Sequence, residues 1–474
     1  MTSSDDFLQR YGPEGERVEY KSARKNVPRD FWETYSSFAN TSGGTIILGV
    51  EEDQIAGTYE VTGVENPQHE MKVIWDTLNN PAKISANLLD TKDVYVENVD
   101  GFDVIIVEVP RADRRSRPVY LNGNMLLETY KRNHEGDYRC RQEVVHSMLR
   151  DSLDDKSDGE TVDSLEGYDC LVMEDIERFV SMLGPTGHRN KWASQSVEEV
   201  LFTIGAIKSK NGIIHPTRAG LLMFGRISSI LDEFPNFHLD YREVMNDERW
   251  SFRINSDSFN VDYNVFSFMM AVIGKLSEKI GSPFKLEGMR RQDESEAFIS
   301  IREAVVNALV HADYYGRGGI SIIYDGDRVA VTNPGSLRIP LENAIRGGTS
   351  DPRNSNMMRM MLGIGLVEEI GAGIHSMFLS KDDGSLLNVS IEELADPERV
   401  RVVLTLPIQQ ISLTESESRI LRYVSDNPHT TMKELSEAVG LSSRTVSRIV
   451  SELIDRGVIV RTGTFKNMTW MIKR

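Results

Sequence analysis

The sequence predicts a multidomain protein of α/β and α+β folds, and three observations support this prediction. The chain has 474 residues, which is more than one hydrophobic core normally organises. Apolar residues make up 40% of it and charged residues 27%, the composition of a globular protein. Short apolar runs typical of strands follow patterns typical of amphipathic helices. The chain therefore divides into several domains that mix both element types.

Charge and cysteine content narrow the classes of function. The net charge is −18, which argues against a protein that coats nucleic acid over its whole surface. Residues 411–474 carry ten basic and seven acidic side chains, so DNA contact is expected there. Cys140 and Cys170 give neither a disulfide framework nor a zinc spacing. The first residues lack a signal-peptide pattern, and no apolar run approaches the roughly 20 residues of a membrane span. We expect a cytoplasmic protein without membrane contact.

Breaks in periodicity and composition give the expected domain boundaries. An acidic stretch without periodicity predicts a solvated linker, and a strand that ends at Pro407 precedes a new helix start. The segment after the linker shows amphipathic helices and no chemical motif, which predicts a helical connector. The expected segments are an α/β domain (11–150), the linker (151–164), the connector (165–285), a nucleotide-binding domain (286–410) and a DNA-binding domain (411–474).

The first segment contains a helix followed by a strand. Phe31, Tyr35, Phe38 and Ala39 form one apolar helix face, and a glycine pair precedes the strand 45–50. A second strand is expected over 102–109.

Three motifs in this segment point to a known domain. Glu19-Tyr-Lys21, Phe38-Ala-Asn-Thr-Ser-Gly-Gly44 and Ile47-Leu-Gly-Val50 resemble the AlbA-like domain shared with Schlafen proteins. The resemblance covers roughly residues 11–140 and implies nucleic-acid binding, RNA included.

The same resemblance implies an alternative activity. In animal Schlafens this domain houses a three-carboxylate, metal-dependent endoribonuclease site. Here Glu14 and Glu19 have the matching spacing, and Glu52 or Asp53 would supply the third carboxylate. The other interpretation is that these residues decorate an edge strand and a solvated turn. Nearby basic residues either contact phosphates or form a solvated face; they are Arg111–Arg117, Lys131, Arg132, Arg139 and Arg141.

A single predicted helix, 293–313, carries the candidate nucleotide site. It places Glu303, Asn307 and His311 on one face, one turn apart. A carboxylate beside an amide suits a general base next to an oxygen ligand for Mg²⁺. Strands are expected over 320–324 and 328–332. Asn333-Pro-Gly335 and several glycine-punctuated segments follow, and such backbone can approach phosphates closely.

In this order the motifs resemble the ATP-binding fold of the GHKL superfamily, an α/β sandwich. The resemblance implies that Glu303 orients the attacking water and that Asn307 holds Mg²⁺. It places His311 in the ATP site and Asn333 with Gly335 at the adenine. The lid over the phosphates would contain Arg353, Asn354, Gly363, Gly365, Gly371 and Gly373.

Two positions depart from the superfamily pattern. The adenine amino group is usually bound by an aspartate where this chain has Asn333, and an amide oxygen is the weaker acceptor. Val310 stands where gyrase-like members carry an acidic residue. ATP binding is the prediction, hydrolysis stays open, and the alternative is an inactive nucleotide fold kept as a scaffold.

The last segment has the pattern of a winged helix-turn-helix. Thr414–Glu417 and Thr431–Glu434 are capping boxes, Gly440 makes the turn, and a third helix begins after Ser442. Two short strands flank Gly463, and the pattern is similar to bacterial winged-helix regulators. The DNA-contacting residues would be Ser443, Arg444, Thr445, Ser447 and Arg448 in the third helix and Arg461 and Lys466 in the wing. Protein contact or dimerisation is the alternative use.

Together these features predict an ATP- and Mg²⁺-binding transcriptional regulator of bacterial type. Its partners would be double-stranded DNA, RNA through the first domain, and a second copy of the chain, since winged helices often bind two half-sites. Metal-dependent cleavage of nucleic acid through Glu14, Glu19 and Glu52 is the alternative function. An interaction scaffold is the third.

Overall fold

A computed structural model describes most of the chain, which divides into two units, Met1–Pro407 and Ile408–Arg474. The described residues are 2–53, 57–152, 157–183, 195–244, 250–257, 261–280, 295–366, 373–382, 386, 388–395, 397–406, 415–455, 459–462 and 469–472. Each unit is described by itself.

The first unit begins with an α/β domain built on a four-stranded sheet. Its elements are α1 (Ser4–Tyr11), β1 (Val18–Lys21), α2 (Phe31–Asn40), β2 (Gly44–Leu48), β3 (Val50–Asp53), β4 (Thr58–Val61), α3 (Pro67–Leu78), β5 (Val94–Val99), β6 (Phe102–Val109), β7 (Tyr130–Asn133), β8 (Gly136–Arg139) and α4 (Gln142–Ser152). The sheet order is β1-β2-β6-β5, and only the β1–β2 pair is parallel. The predicted helix over 31–39 and the strands that follow it are confirmed.

Strand alternation gives this sheet two apolar faces. Ile46 and Leu48 pack under α2 with Phe38, whereas Ile47 between them packs with Phe7 of α1 on the other face. All five side chains are fully buried. A sheet that is covered on both faces explains why β2 and β6 are almost continuously apolar.

The rest of the first unit forms one large core around a six-stranded sheet. Its elements are α5 (Met173–Met182), α6 (Val197–Ile204), β9 (Ile207–Lys210), β10 (Ile213–Pro216), α7 (Arg218–Phe224), α8 (Ile227–Glu233), β11 (Leu239–Glu243), β12 (Phe252–Asn255), α9 (Val265–Ile280), α10 (Glu296–His311), β13 (Ile320–Tyr324), β14 (Arg328–Pro334), α11 (Leu341–Arg346), α12 (Ser355–Gly363), α13 (Gly373–Asp382), β15 (Asn388–Ala395) and β16 (Glu398–Thr405). The sheet order is β12-β11-β13-β14-β16-β15.

The expected connector, residues 165–285, is not a separate helical segment in the structure. Strand β11 pairs in parallel with β13, so strands of the expected connector belong to the same sheet as the nucleotide segment. Helices α9 and α10 pack on each other and on this sheet. Among the described residues, one apolar cluster runs from Val162 to Leu406, so those of 165–285 share their core with those that follow.

The expected solvated linker is also partly buried. The carboxylate of Asp151 is paired with Arg353, at 2.8 Å, and the residue is 5% exposed. Asp158, 2% exposed, accepts hydrogen bonds from the backbone N–H groups of Asn356 and Met357 at 2.9 and 3.1 Å. Its burial raises the pKa of this carboxyl group to about 6. Acidic composition predicted solvation, but these two carboxylates serve as internal partners for a cation and a helix start.

The second unit has the expected winged helix-turn-helix pattern. Its elements are α14 (Glu415–Asp426), α15 (Met432–Val439), α16 (Ser443–Asp455), β17 (Ile459–Thr462) and β18 (Thr469–Ile472). The capping box at Thr431 and Glu434 forms in both directions, and Gly440 adopts the left-handed conformation that ends α15. Across the described parts of both units, no helix combines the length and apolarity needed to cross a bilayer.

Candidate functional site

One cavity of the first unit gathers five of the eleven residues that the sequence marked as a nucleotide site; they are Glu303, Asn307, His311, Asn333 and Gly373. It lies between α10, the end of β14, the loop after it, α13 and β16, and holds about 990 Å³ of empty space, its open mouth included. The polar lining residues are Glu303, Asn307, His311, Asn333, Ser336, Arg338, Thr349, Ser350 and Asp351; the apolar ones include Ala304, Met358, Ile374, Met377, Val400 and Val402.

Helix α10 supplies three of these side chains from one face, as its spacing predicted. Glu303 is 6% exposed, and the hydroxyl of Ser376 on α13 donates a hydrogen bond to its carboxylate. Asn307 lies one turn further on, and a methyl group placed at Gly373 would lie 2.5 Å from its amide nitrogen. Glycine at the start of α13 is therefore what lets Asn307 sit where it does.

The third residue of this face is a neutral base at physiological pH. Burial, together with the charges of Arg353 and Arg338, lowers the pKa of His311 to about 4. An uncharged imidazole can accept or donate a hydrogen bond but adds no positive charge to the cavity.

Strand β14 brings Asn333 to the opposite wall. The residue is 6% exposed, and its amide nitrogen donates to the carbonyl of Pro334 at 3.2 Å. The amide oxygen is then the acceptor that this side chain can offer. Gly335 follows with φ of 99°, and a methyl group there would lie 2.6 Å from the guanidinium of Arg353. The turn thus needs glycine for both its backbone conformation and its close contact.

Several predicted lid residues lie away from the cavity lining. Arg353 donates to both carboxylate oxygens of Asp151 at 2.8 Å, and Asn354 donates to the carbonyls of Val310 and Ala312 at 2.9 Å. They hold the end of α10 in place, which is a different role from the one expected. Gly363 and Gly365 lie at the end of α12, also outside the lining. Gly371 lies outside the described residues.

Sequence reasoning missed the loop between β14 and α12. Arg338, Thr349, Ser350 and Asp351 line the cavity, and none of them stands in a recognisable motif. The available signal was a lone arginine close after Asn333-Pro-Gly335. Ser376 was also missed, since a serine in a helix is not informative by itself.

The carboxylates of the alternative nuclease site are placed in the first domain. Burial and the nearby Glu19 and Glu52 raise the pKa of Glu14 to about 7, while its carboxylate accepts from the backbone N–H of Tyr20. Glu19 is bound by Lys21 at 2.9 Å and by Arg132 at 2.6 Å. Among the residues that the structure describes, no group of three acidic, histidine or cysteine side chains could hold a metal.

Several basic residues of the first domain were expected to contact phosphates or to face solvent, but in the structure they do neither. Arg111 pairs with Glu393 at 3.2 Å, Arg114 pairs with Asp351, and Lys131 pairs with Glu398; Arg117 is only 6% exposed. The acidic partners all belong to the segment that follows β14. These cations therefore tie the first domain to the six-stranded domain. The phosphate-contact and solvated-face interpretations do not describe them.

The third helix of the second unit presents the expected polar face. Ser443, Arg444, Ser447 and Arg448 are exposed, and Thr445 is half-buried. Arg448 pairs with Glu452 one turn later at 2.6 Å. The side chains of Arg461 and Lys466 lie outside the described part of the chain.

The fold and the cavity define a chain that combines an α/β domain, an ATPase-like domain and a winged helix. Comparisons with family profiles agree. Residues 14–141 match "Schlafen, AlbA_2", 318–404 match "ATP-dependent DNA helicase recG C-terminal", and 413–460 match "Winged helix-turn-helix DNA-binding". Residues 146–240 match a domain of unknown function, DUF8451. The chain thus contains a Schlafen AlbA_2 domain, a recG-like ATPase domain and a C-terminal winged helix-turn-helix.

The chain is also similar to a solved structure over most of its length. The DIP2311 protein from Corynebacterium diphtheriae is 16% identical, with 97% of this chain and 92% of that chain covered and a TM-score of 0.40. No curated protein matches the sequence.

Proposed function

We propose that this chain is a DNA-binding transcriptional regulator whose cavity binds ATP with Mg²⁺ and whose DNA affinity depends on the bound nucleotide. One observation supports the part of this proposal that concerns ATP binding, which we call the nucleotide half. Glu303 and Asn307 from α10 line the same cavity as Asn333, which comes from a different element, β14. The match of residues 318–404 to the recG-type profile supports the same assignment.

The cavity residues fit the chemistry of a magnesium nucleotide. Asn307 would hold Mg²⁺ through its amide oxygen, because Mg²⁺ favours hard oxygen ligands. Water molecules and phosphate oxygens usually fill most of its other coordination positions. When bound, the ion neutralises phosphate charge. Asn333 would accept the adenine amino group through its amide oxygen. Glu303, held by Ser376, would orient a water molecule near the phosphates and accept its proton if ATP is hydrolysed.

Calorimetric titration of the full chain with Mg-ATP tests the nucleotide half. We expect the native protein to bind and Asn307→Ala to weaken binding roughly tenfold, since a contact to a charged ligand is lost. Asn388→Ala is the matched control, because Asn388 is exposed at the start of the edge strand β15. Absence of ATP binding by the native chain contradicts this half of the proposal.

The exposed face of α16 carries the DNA half. Arg444 and Arg448 lie one turn apart and can both reach a major groove, where arginine pairs with guanine. We propose that the chain acts as a homodimer on two half-sites in a bacterial cytoplasm. Binding to duplexes that the native chain selects from a random-sequence pool should fall in Arg444→Ala and Arg448→Ala, by about 1–3 kcal/mol each. Arg422→Ala, an exposed charge on α14, should change affinity less. Equal losses in all three variants contradict base recognition by α16.

The nuclease alternative has less support from the geometry. Glu19 already has two cationic partners, which occupy the charge that a metal ion would need. Labelled RNA incubated with the native chain and Mn²⁺ should stay intact. Cleavage that disappears in Glu19→Ala would instead establish the nuclease and the role of the first domain in RNA binding.

A further inference from the structure

We propose that Arg338 binds the phosphates of the nucleotide and that the Schlafen AlbA_2 domain keeps it available for them by holding Asp351 with Arg114. This inference rests on the proposed nucleotide site and deepens it, because it assigns the anionic end of the ligand. It makes the first domain part of the site.

The first support is a concentration of cationic side chains beside the cavity. Six cationic side chains and four carboxylates meet where the first domain contacts the loop after β14, which we call the interdomain seam. The cations are Arg111, Arg114, Arg117, Lys131, Arg338 and Arg353, and the carboxylates are Asp151, Asp351, Glu393 and Glu398. Guanidinium groups brought together in this way suit an anionic ligand, because arginine binds phosphate oxygens through two parallel hydrogen bonds.

The second support is an unused donor on the residue that lines the cavity. The Arg338 side chain is 5% exposed, and its terminal nitrogens donate to the carbonyls of Pro352 at 3.0 Å and Asp151 at 3.3 Å. Its Nε is buried and has no hydrogen-bond partner within the described structure; a carboxylate oxygen of Asp151 lies 3.9 Å away. Burial and the neighbouring Arg353 also lower the pKa of Arg338, as expected where compensation is incomplete.

Asp351 connects the cavity to the first domain. Its carboxylate accepts a hydrogen bond from Nε of Arg114 and lies 3.5 Å from a terminal nitrogen of Arg338. Arg114 is 5% exposed and also donates to the carbonyl of Asp151 at 2.8 Å. Asp351 is therefore shared between Arg114 and Arg338, and its shorter contact is the one to Arg114. A phosphate group has to compete with that acid for the same guanidinium.

The same seam positions the loop that carries Arg338. The backbone N–H of Leu337 donates to Glu393 at 2.7 Å, and its carbonyl accepts from Arg111 at 3.1 Å. Leu337, the residue next to Arg338, is therefore held by Arg111 from the first domain and by Glu393 from β15. Such a fixed donor suits recognition of a phosphate without large rearrangement.

Two substitutions should move ATP affinity in opposite directions. Arg338→Ala removes the phosphate ligand and should weaken ATP binding roughly tenfold or more, while adenosine binding stays unchanged. Asp351→Asn removes the competing carboxylate and should strengthen ATP binding roughly threefold or more, again without an effect on adenosine. A purely structural role would lower both ATP and adenosine binding in both variants. Arg401→Ala, an exposed arginine paired with Glu392, is the matched control.

Calorimetry on the full chain with ATP and adenosine separates the possible failures. If the native chain binds neither ligand, the proposed function fails. If it binds both but Arg338→Ala and Asp351→Asn leave the ATP affinity unchanged, the nucleotide site stands and this inference is overturned. If Arg338→Ala does not fold, the native chain decides: ATP should bind at least roughly tenfold more tightly than adenosine, with the advantage shrinking as salt is raised. Equal affinities overturn the inference.

Discussion

At the scale of single residues, the nucleotide proposal depends on how closely side chains approach the backbone of α13. The amide of Asn307 lies so near Gly373 that any side chain there must displace it. The spacing of Glu303, Asn307 and His311 on α10 was predictable because a helix repeats locally. Their contacts with Ser376 and Gly373 were not, because these residues come from a helix much later in the chain.

A substitution at Gly373 tests this close approach. Gly373→Ala puts a methyl group 2.5 Å from the amide nitrogen of Asn307, and the flexible side chain can rotate away at little cost to folding. We expect ATP affinity to fall severalfold with little change in thermal stability. Calorimetry and thermal unfolding measure the two effects.

Gly274→Ala is the matched control for that substitution. Gly274 lies within α9, and no atom would approach an added methyl group within 4 Å. Alanine is also the better helix former, so stability should stay equal or rise by up to about 1 kcal/mol. Unchanged ATP affinity in Gly373→Ala would show that the position of Asn307 does not matter for binding.

At the scale of elements, local patterns predicted the helices and strands but not their partners. Helix α2, strands β13 and β14 and the capping box of α15 lie where periodicity and capping residues placed them. The pairing of β11 with β13 joins segments that are distant in sequence, and no local pattern encodes it. The acidic stretch was misjudged for the same reason, because the partners of Asp151 and Asp158 lie in later elements.

Asp158 provides a measurable case, since it caps α12 from another part of the chain. Asp158→Ala removes the acceptor for two backbone N–H groups at the start of that helix and should destabilise the first unit by about 1–2 kcal/mol. Thermal unfolding checks this loss. Asp163→Ala is the control, because Asp163 is exposed and its pair with Lys210 lies at the surface, so the loss of stability should be clearly smaller than in Asp158→Ala. Equal losses in both variants would contradict the capping role.

At the scale of the whole molecule, the domain content was predictable and the interdomain seam was not. Motif order identified the AlbA_2, ATPase-like and winged-helix domains, and the family profiles agree. From the sequence alone, the basic cluster of the first domain suggested contact with nucleic acid. In the structure, several of these side chains pair with carboxylates instead. Their partners Asp351, Glu393 and Glu398 lie at least half the chain length away, and charge pairs at that distance leave no mark on local sequence.

The central claim is that nucleotide binding and DNA binding are linked in one chain. If they are, Mg-ATP must change the affinity for DNA by the same factor by which DNA changes the affinity for ATP. The factor should be at least roughly fivefold, as for typical coupled sites. The direct measurement is the dissociation constant for short duplex DNA with and without saturating Mg-ATP, for the native chain and for Asn307→Ala. We predict a shift in the native chain that disappears in the variant. Identical DNA affinity of the native chain in both conditions would contradict the account.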